Sequence, residues 1–172
     1  MKHGTVYWIT GLSGAGKTTI GRSLYHKLKR SKPDLVFLDG DMLREVFGNT
    51  AGYSLAERKQ LAMKYSRLCG ILSEQGIDVV CATISLFKEV HAYNRAHLKK
   101  YYEIFVDCHL DELIKRDQKG IYSKTLTDKA GDVIGIDLSY DRPEKCDLVI
   151  DNTNRDALDE KVDRIIRFIS GK

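Results

Sequence analysis

Short apolar runs alternate with longer amphipathic segments along most of this chain. The apolar runs lie near residues 5–10, 35–39, 78–84, 102–108 and 147–151, and we expect each to form a β-strand. The run at 78–84 is almost continuously apolar, which is typical of a parallel strand covered on both faces. Strands that alternate with helices indicate βαβ units. The pattern therefore predicts an α/β protein with a parallel five-stranded sheet and helices on both faces.

Helical periodicity accounts for most of the sequence between these runs. It predicts helices from Lys17 to about Arg30, from Ser54 to Gln75, near 88–100, near 111–117 and at 156–169. Ser54 and Glu57 have the spacing of a capping box at the start of the second helix. Gly76 is expected to end that helix.

Residues 118–137 differ from the rest, with mixed polarity, three glycines and no clear period. A segment of this length without a regular pattern is usually a functional lid or a disordered loop. It follows the basic pair Lys115-Arg116, so we expect a basic lid that closes over a triphosphate. A solvated loop is the alternative. We treat residues 1–172 as a single domain that includes this lid.

The first predicted strand leads directly into the glycine-rich sequence Gly11-Leu-Ser-Gly-Ala-Gly-Lys-Thr-Thr19. This matches G-x-x-x-x-G-K-T in the strand–loop–helix context of a phosphate-binding loop. Backbone N–H groups of such a loop point at phosphate oxygens, and the helix N-terminus adds partial positive charge. We expect Lys17 to reach the β- and γ-phosphates and Thr18 to bind Mg²⁺. The predicted ATP-binding residues are Gly11, Ser13, Gly14, Ala15, Gly16, Lys17, Thr18, Thr19 and Arg116.

The second predicted strand ends in two carboxylates, Asp39 and Asp41, which are separated by a glycine and followed by Arg44. Ligands of open α/β sheets lie beyond the carboxyl ends of the strands, so we expect these side chains beside the phosphate-binding loop. A carboxylate there can orient the waters of Mg²⁺ or accept a proton from an acceptor hydroxyl. The guanidinium suits an anionic acceptor. Alternatively, the two acids only turn the chain and cap the next helix.

Composition and charge favour some classes of ligand and location and disfavour others. The chain is 42% hydrophobic and 30% charged, with a net charge of +4, which suits a phosphate-rich ligand. No basic run is interleaved with aromatic residues, so we expect no nucleic acid partner. No apolar run approaches membrane-spanning length, and the sequence before the first strand leaves no room for a signal peptide, so we expect a cytoplasmic protein. The four cysteines form no C-x-x-C pair, which argues against zinc or a redox pair.

Further motifs follow the phosphate-binding loop in a fixed order. They are Leu-Asp-Gly-Asp-x-x-Arg at 38–44, Gly52-Tyr-Ser-x-x-x-Arg58, Ile84-Ser85, Phe105-Val-Asp107, Arg116-Asp-x-Lys-Gly-x-Tyr122, Gly135-Ile-Asp137 and Pro143-Glu144. Together they resemble the adenylyl-sulfate kinase family over essentially the whole chain. The resemblance implies a P-loop NTPase with a nucleoside-monophosphate-kinase-like fold that forms a homodimer. It also implies transfer of the γ-phosphoryl group of ATP to the 3′-hydroxyl of adenylyl sulfate.

The resemblance implies acceptor-binding residues as well. They are Asp39, Asp41, Arg44, Tyr53, Arg58, Ile84, Ser85, Lys119 and Val133. Asp41 matches the acid that assists attack by the hydroxyl, so Asp41 and Lys17 are the predicted catalytic residues.

Two other functional classes are alternatives to a kinase. A GTPase switch would need a guanine signature that is missing from its expected place, and a non-catalytic ATP-binding regulator would not need Lys17, Thr18 and Asp41.

Several positions depart from the family's pattern, among them Leu86 and Phe87, which replace a Pro and a Tyr after Ile84-Ser85. Leu61 replaces an Asn that faces the substrate, Met63 replaces an Arg, and Val133 replaces a Phe that stacks on the acceptor adenine. Loss of one stacking partner removes about 1–3 kcal/mol of base binding. These changes favour a similar acceptor with a different base. A relative in the family, cytidine diphosphoramidate kinase, phosphorylates the 3′-hydroxyl of a cytidine nucleotide in capsular phosphoramidate synthesis, and both acceptors stay open at this point.

Overall fold

Five strands form one sheet in the computed structural model, which describes residues 2–47, 54–117, 120 and 139–171. They are β1 (Val6–Thr10), β2 (Val36–Asp39), β3 (Val79–Ala82), β4 (Tyr101–Asp107) and β5 (Leu148–Asp151). The strand order is β2-β3-β1-β4-β5, and every pair is parallel. All five predicted strands and the parallel sheet are therefore confirmed.

Helices connect and cover these strands. They are α1 (Lys17–Lys29), α2 (Gly40–Val46), α3 (Leu55–Glu74), α4 (Lys88–His97), α5 (Leu110–Arg116) and α6 (Leu158–Ser170). The capping box of Ser54 and Glu57 is present at the start of α3. Helix α2 was not predicted from the sequence. In the part of the chain that the structure describes, no helix is long and apolar enough to cross a membrane.

The sheet separates two apolar layers. Tyr7 and Ile9 of β1 belong to one layer together with the buried faces of α1 and α6. Val6 and Trp8 belong to the other, which α3 and α4 cover. Every residue of β1 and β3 is buried, as expected for central strands with helices on both faces. Because all strands are parallel, the segments that follow them meet at one edge of the sheet, where ligands are expected.

A buried ion cluster joins β4 to α4. Glu103 is 1% exposed and contacts both His91 Nδ1 and, at 2.8 Å, an Arg95 guanidinium nitrogen. Arg95 also pairs with Asp147, just before β5, at 3.2 Å. Burial alone would raise the pKa of Glu103, but the contacts with His91 and Arg95 outweigh it and hold that pKa below its usual value. The cluster thus ties α4 to the sheet through charged groups in the interior.

Candidate active site

Residues 11–16 form the turn between β1 and α1. A Cβ at Gly11 would overlap the carbonyl oxygen of Val106 in β4. Gly16 has φ +101, which favours glycine, and a Cβ there would overlap the side-chain amide of Asn152. The backbone of the loop is therefore packed too closely between β4 and the end of β5 to accept side chains at these positions. Of the other predicted loop residues, Ala15 is buried, Ser13 and Gly14 are half-buried and Thr19 is exposed.

Lys17 and Thr18 are the first two residues of α1. The Lys17 Nζ donates to the carbonyl oxygen of Leu12 at 2.7 Å, which places the ammonium group against the loop. The Thr18 hydroxyl donates to Asp39 Oδ2, also at 2.7 Å. The phosphate-binding loop and the acidic end of β2, which the sequence indicated as separate features, are therefore in direct contact.

Asp39 has two structural partners. Its side chain is buried, Oδ2 accepts from Thr18, and Oδ1 accepts the backbone N–H of Asp41 at 2.9 Å. The second contact makes Asp39 the N-cap of α2, so the interpretation of this acid as a helix cap is correct. The contact with Thr18 shows that the same carboxylate also faces the loop. One side chain therefore links the start of α1 to the start of α2.

Helix α2 carries two further charged groups of this region, Asp41 in its first turn and Arg44 in its last. Asp41 is exposed and Arg44 is half-buried. From α3, the Tyr65 hydroxyl donates to the carbonyl oxygen of Gly40 at 3.3 Å. Burial raises the pKa of Tyr65 to about 12; the charge of Arg44 lowers it and those of Asp41 and Asp39 raise it. Tyr65 is thus a protonated donor that supports the turn. This role was not predictable from the sequence, because an aromatic residue at helical spacing has the same pattern as any core residue.

The segment after β3 packs against the same turn. A Cβ at Gly40 would lie 3.4 Å from the Thr83 hydroxyl oxygen, so the start of α2 rests directly on this segment. The hydroxyl oxygens of Thr83 and Ser85 are 2.8 Å apart, and the Thr10 hydroxyl donates to the carbonyl oxygen of Ile84. Ser85 is buried and has φ +28. Such a backbone conformation is rare outside glycine and is found preferentially at functional sites.

Arg116 lies beside the phosphate-binding loop, and its side chain is 4% exposed. Its guanidinium donates to the carbonyl oxygens of Gly14 at 3.3 Å, Asn152 at 2.8 Å and Thr153 at 2.7 Å. Its Nε donates to Glu112 at 3.0 Å. Arg116 was predicted to present its charge to ATP phosphates. In this structure its guanidinium joins the loop to the end of β5 through these carbonyl groups, and contact with ATP phosphates stays a prediction.

Asn152, directly after β5, was not assigned to the site by the sequence analysis. Its side-chain amide donates to the carbonyl oxygen of Ala15 at 2.7 Å and accepts from Lys161 Nζ at 2.9 Å. The rule that found Asp39 could have found Asn152, because both are polar residues at the carboxyl end of a parallel strand. Lys161 gives no comparable signal, since a lysine in an amphipathic helix is usually part of its solvated face.

The remaining predicted residues fall into two groups. Arg58 is half-buried in the first turns of α3, whereas Leu61, one turn later, is 4% exposed within the apolar layer that contains Leu43 and Phe87. Position 61 therefore contributes a hydrocarbon side chain to the layer beneath α2. The predicted site residues that lie outside the described part of the chain are Tyr53, Lys119, Val133 and, except for Gly120, those of the lid at 118–137.

The donor atoms of this region fit a magnesium ion that arrives with a nucleotide. Within residues 2–47, 54–117, 120 and 139–171, no group of three or more His, Cys, Asp or Glu side chains is placed to hold a metal ion. Thr18 and Asp39 supply oxygen atoms, the ligand type that Mg²⁺ prefers. Mg²⁺ is commonly bound by one or two protein groups together with substrate phosphates. The site therefore suits a metal shared with bound phosphates.

Comparisons with known proteins indicate one family of kinases. The model of the adenylylsulphate kinase family matches residues 3–151. Cytidine diphosphoramidate kinase from Campylobacter jejuni is 48% identical over 165 residues, which cover 96% of each chain. Adenylyl-sulfate kinase from Pseudomonas aeruginosa is 37% identical over 166 residues, covering 95% of this chain and 84% of that one. The structure of the Mycobacterium tuberculosis APS kinase in complex with AMPPNP and APS has a TM-score of 0.88 at 29% identity, covering 99% of each chain.

Proposed function

The chain belongs to the adenylylsulphate kinase family and is an ATP-dependent nucleotide kinase, and from this premise we propose that its acceptor is a cytidine nucleotide, cytidine diphosphoramidate. The γ-phosphoryl group of ATP would be transferred to the 3′-hydroxyl of that nucleotide. The observation that carries this choice is the 48% identity to the Campylobacter jejuni enzyme of that name, against 37% to the Pseudomonas aeruginosa adenylyl-sulfate kinase.

Two residues support a change of acceptor base. Position 133 carries Val instead of an aromatic residue, so one face of a stacked adenine would lose its partner. Leu61 has no hydrogen-bonding group, so a substrate group that the family's Asn would bind at this position loses its partner; the Leu61 side chain packs in the apolar layer beneath α2. Discrimination between ligands arises from pocket shape and from buried polar groups left without partners. Both features are expected to weaken adenine binding more than cytosine binding.

The described residues support separate roles for individual side chains in phosphoryl transfer. Lys17, at the start of α1, would stabilise the negative charge of the transferring phosphoryl group, and such electrostatic stabilisation is the main catalytic contribution in this chemistry. Mg²⁺ bound with ATP would neutralise phosphate charge, and the Thr18 hydroxyl would hold it. Asp39 fixes the orientation of that hydroxyl. Asp41, exposed in the first turn of α2, would receive the proton of the acceptor hydroxyl, and Arg44 would add positive charge for an anionic acceptor.

Steady-state kinetics with the two acceptors tests this proposal. We expect kcat/KM for cytidine diphosphoramidate to exceed that for adenylyl sulfate by at least about tenfold, equivalent to about 1.4 kcal/mol. Val133→Phe should shift the ratio toward adenylyl sulfate, and Lys17→Ala should abolish transfer to both. A tenfold preference of the unmodified protein for adenylyl sulfate would refute the cytidine assignment and leave the kinase assignment intact.

The homodimer and the cytoplasmic location are part of this proposal, and both are supported by resemblance to the family. Size-exclusion chromatography with light scattering tests the first, and a molar mass of one chain of 19.5 kDa would contradict it. Cell fractionation with an antibody to the native chain tests the second.

A further inference from the structure

A chain of hydrogen bonds runs from α6 through the end of β5 to the phosphate-binding loop. Lys161 Nζ donates to Asn152 Oδ1 at 2.9 Å, and Asn152 Nδ2 donates to the carbonyl oxygen of Ala15 at 2.7 Å. Lys161 also donates to the carbonyl oxygen of Asn154. Asn152 is buried, and its own N–H donates to the carbonyl oxygen of Asp107 in β4 at 2.8 Å. Lys161 therefore holds the side chain of Asn152, and β4 holds its backbone, next to the loop.

The contact with Ala15 controls the direction of the next N–H group. The carbonyl of Ala15 and the N–H of Gly16 belong to the same planar, trans peptide unit, so they point in opposite directions. When Asn152 holds the carbonyl oxygen, the Gly16 N–H is directed away from Asn152. Gly16 is the N-cap of α1, and N–H groups at such a helix start bind phosphate oxygens.

The charge of Lys161 strengthens the same series of hydrogen bonds. The Lys161 ammonium polarises the Asn152 amide, and the amide in turn polarises the Ala15–Gly16 peptide, because hydrogen bonds in series reinforce one another in a low-dielectric interior. We propose that Asn152, held by Lys161, is a positioning residue that aims the Gly16 N–H at the phosphates of ATP.

The local packing supports an orienting role over a general structural one. A Cβ at Gly16 would overlap Asn152 Nδ2, so the absence of a side chain at position 16 is what lets the amide reach the loop. The Arg116 guanidinium holds the neighbouring carbonyl oxygen of Gly14 at 3.3 Å, so two consecutive carbonyl groups of the loop accept from fixed side chains. The inference rests on the ATP-binding part of the proposed function and not on the identity of the acceptor.

Two variants and one control test the series of hydrogen bonds from Lys161 through Asn152 to Ala15. Asn152→Leu keeps the approximate shape and removes both side-chain hydrogen bonds. Lys161→Met keeps the length of the side chain and removes its charge. The control is Lys27→Met, because Lys27 of α1 pairs with Asp159 and Asp163 of α6 at 3.1 and 2.7 Å, so this variant also removes a lysine contact to α6. Thermal melting establishes that each variant is folded.

Binding of Mg·tripolyphosphate by calorimetry and of adenosine by NMR titration separates the phosphate-binding loop from the rest of the ATP site. We expect Asn152→Leu to weaken tripolyphosphate binding by at least about tenfold and Lys161→Met by about threefold, the scale of one lost or weakened hydrogen bond. Adenosine affinity should stay within about twofold in both variants, and the control should change neither affinity.

The affinities of the variants for tripolyphosphate and adenosine decide whether the proposal holds. Unchanged tripolyphosphate affinity in folded Asn152→Leu and Lys161→Met overturns the proposal, and so does an equal loss for tripolyphosphate and adenosine, which would indicate general disruption of the site. If Asn152→Leu does not fold, the comparison of Lys161→Met with Lys27→Met decides alone. Tripolyphosphate contains no nucleoside, so its binding tests the phosphate-binding loop whether or not the cytidine assignment holds.

Discussion

Replacement of Asp39 by asparagine separates the two roles that the structure gives this carboxylate. Oδ1 caps α2 by accepting the N–H of Asp41, and Oδ2 accepts from the Thr18 hydroxyl. In Asp39→Asn the amide oxygen can keep the cap, whereas the amide nitrogen replaces the charged oxygen that faces Thr18. We therefore expect phosphoryl transfer to fall while the fold remains.

The magnitudes follow from the two contacts. Asn and Asp are about equally good N-caps, so the free energy of unfolding of Asp39→Asn should stay within about 0.5 kcal/mol of the parent value. Asp39→Ala deletes the cap and should lose about 1 kcal/mol. A hydrogen bond to a charged group contributes about 1.5–3 kcal/mol, and each 1.4 kcal/mol is a factor of ten. We therefore expect kcat/KM for ATP to fall by about 10- to 100-fold in the asparagine variant.

The assay combines urea unfolding with ADP release measured at varied Mg·ATP and saturating acceptor. Asp34→Asn is the matched control, because it removes one negative charge from an exposed position shortly before β2. The reasoning is refuted if Asp39→Asn keeps the parent kcat/KM, since the contact with Thr18 would then serve packing alone. It is equally refuted if activity and stability fall together, because the cap would then explain both.

Two further predictions concern the exposed acid and the buried ion cluster. Asp41→Asn should lower kcat by about 10²- to 10⁴-fold, the usual contribution of a general base, while the calorimetric Kd for ATP changes by less than about twofold; lost ATP affinity with retained kcat would contradict this role. Glu103→Gln removes the buried charged partner of Arg95, which is 34% exposed and keeps its contact with Asp147, so the free energy of unfolding in urea should fall by about 1–3 kcal/mol; an unchanged midpoint would argue against the cluster. The pKa of Glu103 is lower in the folded state than its unfolded value of about 4.3, so the folded state binds fewer protons at pH values between the two. The stabilisation by Glu103 is therefore present at neutral pH and should be lost as the pH falls through this range.

The strands and the phosphate-binding loop could be predicted because their signals are local. Strands β1 and β3 are buried on both faces, and this requirement appears in the sequence as a continuous apolar run. The loop pattern places its fixed residues within eight positions, so no distant contact is needed to recognise it. The capping box of Ser54 and Glu57 is local for the same reason.

The acceptor side could be predicted only in part. The position of Asp39 at a strand end indicated a ligand-binding role, but its contact with Thr18 joins residues 21 positions apart and depends on the fold. Helix α2 escaped prediction because it begins at Gly40, and the sequence Asp39-Gly-Asp41 at its start is equally typical of a turn. The strained Ser85 gave no sequence signal either, since its φ of +28 is set by the packing around it.

The sequence by itself determined the α/β class, the phosphate-binding loop and its likeness to a kinase family, because each depends on residues that are neighbours in the chain. Only the tertiary structure decided what holds that loop in place. Asn152 is 137 positions from Ala15, and Arg116 is 102 positions from Gly14. These partners meet because the sheet places β4 beside β1 and β5 beside β4. Hydrogen-bond partners so distant in sequence are chosen by the packing of strands and helices, which no local pattern specifies.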